Sequence, residues 1–278
     1  MNPPGRPKVE FRSARHEGTP VNEPRRGRLL LVPNTLDLGA EPVDIRLVLP
    51  LGVLQCAARL GHWLAEDARS TRAFLKRVHE VVPLQQPLQA IDIRELPRPA
   101  KGSGAGHATP GDRLWLELLA PALAGEDVGL ISEAGLPAVA DPGAALVAAA
   151  HVLGIGVVPL PGASSLLLAL AASGLNGQSF AFVGYLPQQA DQRNVRLKEL
   201  QAASRRHAQT QLLIETPYRN ATLLKALLDQ LGDETRLSVS CGLSLPSAWT
   251  RTDRIVDWRR RPTQMPERVP AVFAFLAD

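Results

Sequence analysis

The sequence contains few of the residues that form metal centres and disulfide frameworks. Only two of its 278 residues are cysteine, Cys56 and Cys241, and they lie far apart with no CxxC pair. This spacing argues against a disulfide framework and favours a reducing compartment, with both thiols packed in the core. The six histidines show no HxxxH spacing, so no metal site is expected.

Long apolar runs are also absent. No stretch reaches the roughly 20 apolar residues that span a bilayer, and the N-terminus has no hydrophobic segment typical of a secretory signal. We therefore predict a cytoplasmic protein without a membrane span. Aromatic residues make up 4% of the chain and hydrophobic residues 45%, so aliphatic side chains must fill a core that is large enough for two domains.

Charge is nearly balanced, with 31 Lys and Arg against 27 Asp and Glu, which gives a net charge of +4. This surplus permits a polyanionic partner such as RNA without requiring one. Two basic runs, Arg205-Arg206-His207 and Arg259-Arg260-Arg261, are compatible with RNA binding. A solvated charged surface explains them equally well.

Two segments rich in Pro and Gly lack any apolar period. Residues 1–27 also hold many Arg residues and are predicted to form a disordered basic tail. Residues 97–111 are predicted to form a flexible loop.

Elsewhere, short aliphatic strands alternate with helices over residues 28–177. The predicted strands cover residues 28–32, 62–65, 91–96, 128–132 and 155–160, and the predicted helices cover 47–60, 70–78, 114–124, 143–153 and 163–173. This alternation is typical of a parallel sheet with helices on both faces. A turn signal at Leu175-Asn176-Gly177-Gln178 marks the predicted domain boundary.

Residues 178–278 are predicted to form a second domain. Strands are expected at residues 180–183, 211–215, 236–241, 249–256 and 271–276, with helices at 189–206 and 218–231. Because strands are concentrated late in this part, we expect a mixed sheet. The predicted fold is therefore α/β with two domains, a mostly parallel N-terminal sheet and a mixed C-terminal one.

Ligands of α/β proteins collect outside the carboxyl ends of the strands. Residues 131–143 follow a predicted strand at such a position and contain two Pro and two Gly. Glycine permits the backbone to approach a ligand closely. Asp141 followed by Pro142 is predicted to cap the next helix. Capping does not account for Ser132-Glu133-Ala134-Gly135, which a plain strand-to-helix link would not need.

Two further segments, residues 159–165 and 214–220, also follow strands. In the first, Ser164 or Ser165 could cap a helix or bind a polar group of a ligand. In the second, Glu215 and Arg219 could belong to a site or form a surface ion pair. The chain has no GxGxxG, Walker A or Gly-x-Ser-x-Gly motif, which argues against the sites those motifs build.

Five segments in order resemble the tetrapyrrole-methylase superfamily of S-adenosylmethionine-dependent methyltransferases. They are Ala65-Glu66-Asp67-Ala68-Arg69, residues 131–143, residues 159–164, Phe182-Val183-Gly184-Tyr185-Leu186-Pro187 and Glu215-Thr216-Pro217-Tyr218-Arg219. The nearest branch contains the small-subunit ribosomal RNA cytidine 2′-O-methyltransferase and its uncharacterised relatives. The resemblance implies two α/β domains with the cofactor between them, and a homodimer.

The resemblance also implies roles for individual residues. The cofactor S-adenosylmethionine would contact a set drawn from four segments: Ser132, Glu133, Ala134, Gly135, Val139, Ser164, Gly184, Tyr185, Leu186 and Thr216. Arg69 and Arg219 would bind the substrate. Glu66, Asp67 or Glu215 would accept or orient the proton of the acceptor.

Two segments depart from the ribosomal branch. Residues 33–38 read Pro-Asn-Thr-Leu-Asp-Leu where that branch has Thr-Pro-Ile-Gly-Asn-Leu, and residues 241–245 read Cys-Gly-Leu-Ser-Leu where it has a charged run. Three functions are therefore open: a methyltransferase acting on RNA, one acting on a small molecule such as a tetrapyrrole, and a cofactor-binding protein without catalysis.

Overall fold

Five short strands near the start of the chain pair in parallel. In the computed structural model, which describes residues 26–37, 43–97 and 113–278, they are β1 (Arg28–Leu31), β2 (His62–Ala65), β3 (Asp92–Glu95), β4 (Val128–Ile131) and β5 (Gly156–Pro159). Their order across the sheet is β3-β2-β4-β1-β5. Residues 1–25 of the predicted tail (1–27) and residues 98–111 of the predicted loop (97–111) lie outside the described residues.

Helices cover both faces of this sheet, as the alternating pattern predicts. They are α1 (Leu51–Ala57), α2 (Ala68–Val81), α3 (Arg113–Leu118), α4 (Ala120–Leu123) and α5 (Ala144–Val152), with short 3-10 helices at Ile45–Leu47 and Leu88–Ala90. Adjacent strand residues point to opposite faces. Trp63 accordingly packs in the cluster that holds Phe74 and Leu75, while Leu64 packs in the cluster that holds Trp115 and Leu146.

The second sheet is mixed. Its strands are β6 (Phe180–Gly184), β7 (Thr210–Ile214), β8 (Arg236–Cys241), β9 (Trp249–Arg254) and β10 (Ala271–Leu276), in the order β6-β7-β10-β8-β9. Only the β6–β7 pair among them is parallel. The helices of this part are α6 (Ser165–Ser173), α7 (Ala190–His207), α8 (Asn220–Gln230) and α9 (Ile255–Arg260), with a 3-10 turn at Pro217–Arg219. The predicted α/β fold with a parallel and a mixed sheet is confirmed.

The chain divides into two compact units between Ala163 and Ser164, earlier than the boundary expected near Gly177. The reason is α6, whose Ala169 and Leu170 pack with Leu212 of β7 in the second unit. An apolar helix shows from its own sequence that it is buried, but not against which sheet. No helix in the described ranges is both long enough and apolar enough to cross a membrane.

The short helix α9 begins at Ile255 and therefore includes the last two residues of the strand predicted over residues 249–256. Its Trp258 is fully buried, and the indole nitrogen donates a 2.8 Å hydrogen bond to the carbonyl oxygen of Leu237. The guanidinium carbon of Arg251 lies 3.8 Å from the centroid of the same indole ring. Leu237, Arg251 and Trp258 lie on three different elements, β8, β9 and α9, so the local pattern could not reveal these contacts.

Close packing joins the ends of β1 and β5 in the first unit. A Cβ atom placed on Gly162 would lie 2.3 Å from Cγ and 2.4 Å from Cβ of Pro33. Real Cβ atoms do not approach other atoms so closely, and the proline ring is too rigid to move aside. Gly162 therefore lets the segment after β5 lie directly on the segment after β1.

We expect Gly162→Ala to lower the free energy of unfolding by about 1–3 kcal/mol, because the added methyl forces the two segments apart. Urea unfolding followed by circular dichroism measures this. Gly177→Ala is the matched control, because no atom lies within 4 Å of the position that its added methyl would occupy. Equal unfolding midpoints for the two variants would show that Gly162 is not required for packing.

Candidate functional site

The loop of residues 132–143, between β4 and α5, has a strained backbone. Gly135 and Gly143 have positive φ angles of 67° and 130°, and so do two alanines, Ala138 at 64° and Ala140 at 66°. The left-handed region costs a residue with a side chain on the order of 1 kcal/mol or more. Such strain persists only where surrounding contacts impose it, and it concentrates at ligand sites.

The amide of Asn34 fixes the start of this loop. Its Nδ2 donates to the carbonyl oxygens of Ser132 at 3.1 Å and Glu133 at 3.0 Å. Its backbone N–H donates to the carbonyl of Gly135 at 2.9 Å, and Gly135 N–H donates to the carbonyl of Thr35 at 3.3 Å. Asn34 is buried, so these bonds form away from water, where they are strongest.

A buried ion pair supports Asn34 from the next residues of the chain. Thr35 and Asp37 are buried, and Arg77 of α2 reaches both of them. Arg77 Nη2 lies 2.9 Å from Asp37 Oδ2, Arg77 Nη1 donates to Thr35 Oγ1 at 3.0 Å, and Thr35 Oγ1 donates to Asp37 Oδ1 at 2.9 Å. The segment that departs from the ribosomal branch is thus the part that holds the loop.

The loop of residues 132–143 begins with a buried hydroxyl group, that of Ser132. Ser132 is 2% exposed, and its Oγ has no hydrogen-bond partner in the described part of the chain. An unsatisfied buried hydroxyl costs about 1–3 kcal/mol, a penalty that a bound ligand could remove. Gly135 packs closely in the same loop, since a Cβ there would lie only 3.3 Å from Cδ2 of Leu36, and its positive φ also favours glycine.

Three carboxylates meet at this edge of the first sheet. Neighbouring strands β2 and β4 place Ala65 opposite Ile131, so the residues that follow them lie together. Glu66 Oε2 accepts a 3.1 Å hydrogen bond from the backbone N–H of Glu133. Burial raises the pKa of the Asp141 carboxyl to about 7, and the charges of Glu66 and Glu133 add to this rise.

The predicted capping role of Asp141 and Pro142 is wrong. The helix α5 begins at Ala144, its N-cap residue is Gly143, and no side chain caps it. The positive φ angles extend the loop beyond the point where Pro142 could start the helix. Asp141 is instead half-buried beside other acids. No three His, Cys, Asp or Glu side chains among the described residues are arranged to hold a metal ion.

Asp67 is the N-cap of α2. Its carboxylate accepts a 2.6 Å hydrogen bond from the backbone N–H of Ser70, and its carbonyl accepts from the Ser70 and Thr71 hydroxyls. This structural role accounts for Asp67 next to Glu66 in the sequence. Arg69 follows in the first helical turn, with its side chain exposed.

Residues predicted for the cofactor differ in exposure. Glu133 and Val139 are exposed, and Ala134 is half-buried. In the second unit, Ser164 is the N-cap residue of α6 but makes no side-chain capping bond. Ser164 therefore occupies the predicted cap position, but its hydroxyl does not form a capping hydrogen bond.

The second unit gathers its predicted residues at the carboxyl ends of two neighbouring strands. Gly184 ends β6 with a φ of 72°, Tyr185 is 55% exposed, and Leu186 is buried in the core of the unit. After β7, Arg219 Nη2 lies 2.6 Å from Glu215 Oε1. That carboxylate also accepts from the N–H of Thr216 at 2.6 Å, so Glu215 and Arg219 form the ion pair that the sequence allowed as an alternative.

Structural contacts occupy all of the second basic run and one residue of the first. Arg259 pairs with Asp233 and donates to the carbonyls of Leu228 and Leu231, and Arg205 donates to the carbonyl of Asp278. Arg260 and Arg261 lie 3.5 Å from Asp257 and Asp253 respectively. These contacts explain the second run without RNA binding.

Sequence reasoning missed Asn34 and Arg77, and it gave Asp141 the wrong role. Asn34 lies three residues after β1, which pairs with the central strand β4, so its position beyond a strand end was a usable signal. Asp141 could have been grouped with Glu66 and Glu133 once β2 and β4 were taken as neighbours. The Arg77–Asp37 pair had no signal, because its partners are 40 residues apart.

We expect Asp141→Asn to stabilise the protein more at pH 8 than at pH 4.5. The pKa of Asp141 is raised from 3.8 to about 7 in the fold, so the folded state holds a proton that the unfolded chain releases, and stability falls as pH rises between these values. The full effect would be ~4 kcal/mol. Partial exposure screens it, so we expect about 1–2 kcal/mol.

Urea unfolding of wild type and variant at the two pH values measures this difference. Asp229→Asn, which removes an exposed carboxylate paired with Lys225, is the control and should shift stability equally at both pH values. A pH-independent effect of Asp141→Asn would contradict the raised pKa.

Comparison with known proteins places these features in a family. The family described as Tetrapyrrole (Corrin/Porphyrin) Methylases matches residues 58–253. The chain is 35% identical over 204 residues to the Ribosomal RNA small subunit methyltransferase I of Mesorhizobium japonicum, covering 73% of this chain and 62% of that protein. It is 43% identical over 120 residues to the protein of the same name from Pseudomonas aeruginosa, covering 43% of this chain and 41% of that protein.

These matches span less than two thirds of the length of either relative. Among solved structures, the crystal structure of the methyltransferase CobJ aligns with a TM-score of 0.50 at 17% identity, covering 91% of this chain and all of that one. This likeness concerns the fold alone. Because the family match covers more than half of the residues, the chain belongs to the tetrapyrrole methylase family.

Proposed function

We propose that this protein is an S-adenosylmethionine-dependent methyltransferase that acts on ribosomal RNA of the small subunit. The similarity to proteins with that name, at 35% identity over 204 residues, carries the proposal. A small-molecule acceptor such as a tetrapyrrole, which the family description suggests, has no comparable support from the sequence relatives. The homodimer implied by the resemblance and the cytoplasmic location expected from the composition remain predictions.

The residues at the end of β4 fit the cofactor. The loop is strained, and the buried Ser132 hydroxyl has no partner in the described part of the chain. We infer that residues 132–135 and Val139 hold S-adenosylmethionine from the first unit. From the second unit we infer contributions from Ser164, Gly184, Tyr185, Leu186 and Thr216, with Leu186 acting through its backbone because its side chain is buried.

Bound S-adenosylmethionine supplies an activated methyl group, which leaves alignment and proton transfer to the protein. A ribose hydroxyl must lose its proton as it is methylated, and a well-placed base contributes about 10²–10⁴-fold. Glu66 is oriented by the N–H of Glu133, and Asp141, with a pKa of about 7, can accept a proton near neutral pH. Asp67 and Glu215 are already engaged by a helix cap and an ion pair.

These observations favour Glu66 and Asp141 over Asp67 and Glu215 for the proton. Arg69 is exposed and remains available to the substrate. Arg219 is paired with Glu215, so any contact with substrate must use the part of its guanidinium that the pair leaves open.

The proposal is tested by incubating the protein with labelled S-adenosylmethionine and total RNA from cells that lack it. We expect label in small-subunit ribosomal RNA and not in large-subunit RNA from the same reaction. RNA from cells that contain the protein, already methylated, is the control and should take up little label. Label confined to small molecules, or cofactor binding without any transfer, would contradict the proposal.

We expect Asn34→Ala to weaken S-adenosylmethionine binding by roughly 10-fold or more, because the carbonyls of Ser132 and Glu133 lose their donor and the strained loop relaxes. Isothermal titration calorimetry measures the affinity. Asn176→Ala is the matched control, since its amide makes similar bonds to the backbone of Ala208 and Gln178 in the second unit. If both variants bound the cofactor like wild type, the loop would not be the cofactor site.

A further inference from the structure

Helix α2 carries an unusual concentration of positive charge. It contains four Arg or Lys residues and a single acid, Glu80, in 14 residues, although the whole chain has a net charge of only +4. One of the four, Arg77, is used by the buried pair with Asp37. The other three, Arg69, Arg72 and Lys76, are exposed.

These three side chains form one stripe, which we call the α2 stripe. Residues spaced at i, i+3 and i+7 lie on the same face of an α-helix. The buried residues Phe74, Leu75 and Val78 occupy the opposite face. The stripe therefore points away from the core, and Glu80, one turn beyond Lys76, marks its end.

Within the described residues, the stripe has no acidic partner. The ion pair that α2 makes there is Arg77–Asp37, and none involves Arg69, Arg72 or Lys76. Arg72 makes a 3.4 Å hydrogen bond to the carbonyl of Ala68 in its own helix, which leaves its charge uncompensated. Asp67 and Glu95 instead accept hydrogen bonds from backbone N–H groups at the helix start.

The position of Arg69 is unfavourable for the helix itself. A helix N-terminus carries partial positive charge, so cations near it are unfavourable by about 0.3–1 kcal/mol. Helix α2 begins at Ala68, and Arg69 lies in its first turn, where the carboxylates of Asp67 and Glu95 accept hydrogen bonds from backbone N–H groups. Helix α7 shows the favourable order, with Asp191 in its first turn and Arg205, Arg206 and His207 in its last. Helix stability thus does not account for Arg69.

We propose that the α2 stripe binds the phosphate backbone of the RNA substrate beside the candidate site. This inference rests on the proposed function. Arg69 lies three residues after Glu66, so the stripe starts at the site and leads away from it. Arg72 and Lys76 lie outside the segment that resembles the family motif, and they extend the contact along the helix.

The length of the stripe suits several phosphates. Seven residues of helix span ~10 Å, the distance over which one strand of a duplex presents about three phosphates. Each contact with a phosphate releases bound cations, so binding becomes weaker as the salt concentration rises. If the α2 stripe binds phosphates, it should account for a measurable part of the salt dependence of RNA binding.

The test uses the double variant Arg72→Gln/Lys76→Gln, because glutamine keeps the helix propensity while removing both charges. Fluorescence anisotropy with a small-subunit ribosomal RNA fragment gives the affinity between about 50 and 200 mM KCl. For two lost contacts, the slope of log K against log salt should fall in magnitude by about 1.4 for single-stranded RNA and about 1.8 for a duplex. The apparent KM for RNA should rise, and the affinity for S-adenosylmethionine should stay within two-fold.

Lys198→Gln/Arg206→Gln is the matched control. Both residues are exposed on α7, and neither has a carboxylate partner in the described ranges, so this variant loses the same net charge at another surface. Its slope should equal that of wild type. A general effect of net charge would change both variants alike and would overturn the proposal.

The outcomes separate this inference from the proposed function. If wild type methylates RNA and the α2 variant keeps the wild-type slope, the stripe does not bind the RNA and the function stands. If wild type neither binds nor methylates RNA, the proposed function fails and the inference fails with it. Loss of binding to phosphatidylserine vesicles with RNA binding intact would assign the stripe to lipid and also overturn the proposal.

Discussion

The amide of Asn34 is the contact on which the candidate site depends. Its two bonds to the carbonyls of Ser132 and Glu133 tie the end of β1 to the end of β4. Held there, the loop of residues 132–143 can keep four left-handed residues, two of them alanines, that a free chain would abandon. The Arg77–Asp37 pair in turn holds the residues beside Asn34, so a buried polar network, and not the loop itself, determines the geometry of the loop.

The same geometry determines the acid–base character of the site. Because β2 and β4 are neighbours, Glu66 and Glu133 follow them at one edge of the sheet. The long loop then brings back a third acid, Asp141, into a half-buried position near both. Like charges and burial both disfavour ionisation, so the pKa of Asp141 rises to about 7. A residue that resembles a helix cap in the sequence becomes a group able to exchange protons near neutral pH.

Positive charge in this protein serves different purposes at different places. The arginines at 259–261 form ion pairs with acidic residues of their own unit, so a run of basic residues need not be a binding surface. On α2 the opposite holds, because Arg69, Arg72 and Lys76 are scattered in the sequence and become one unbalanced surface only on a helix. Ion pairing in the fold, and not the number of Arg and Lys residues, decides which cations are available to a polyanion.

The sequence by itself determined the strand–helix alternation, the parallel and mixed sheets and the family, because apolar periodicity and short motifs are local properties. Strands such as β2, β8 and β10 lie at the predicted residues for that reason. The tertiary structure alone decided that α6 packs with the second unit, that Asp141 does not cap α5, and that Glu215 pairs with Arg219. The packing of α6 depends on which distant residues meet, and burial between such residues leaves no periodic pattern in the sequence. Glu215 and Arg219 are only four residues apart, but whether they pair or serve a ligand depends on the conformation of the turn between them.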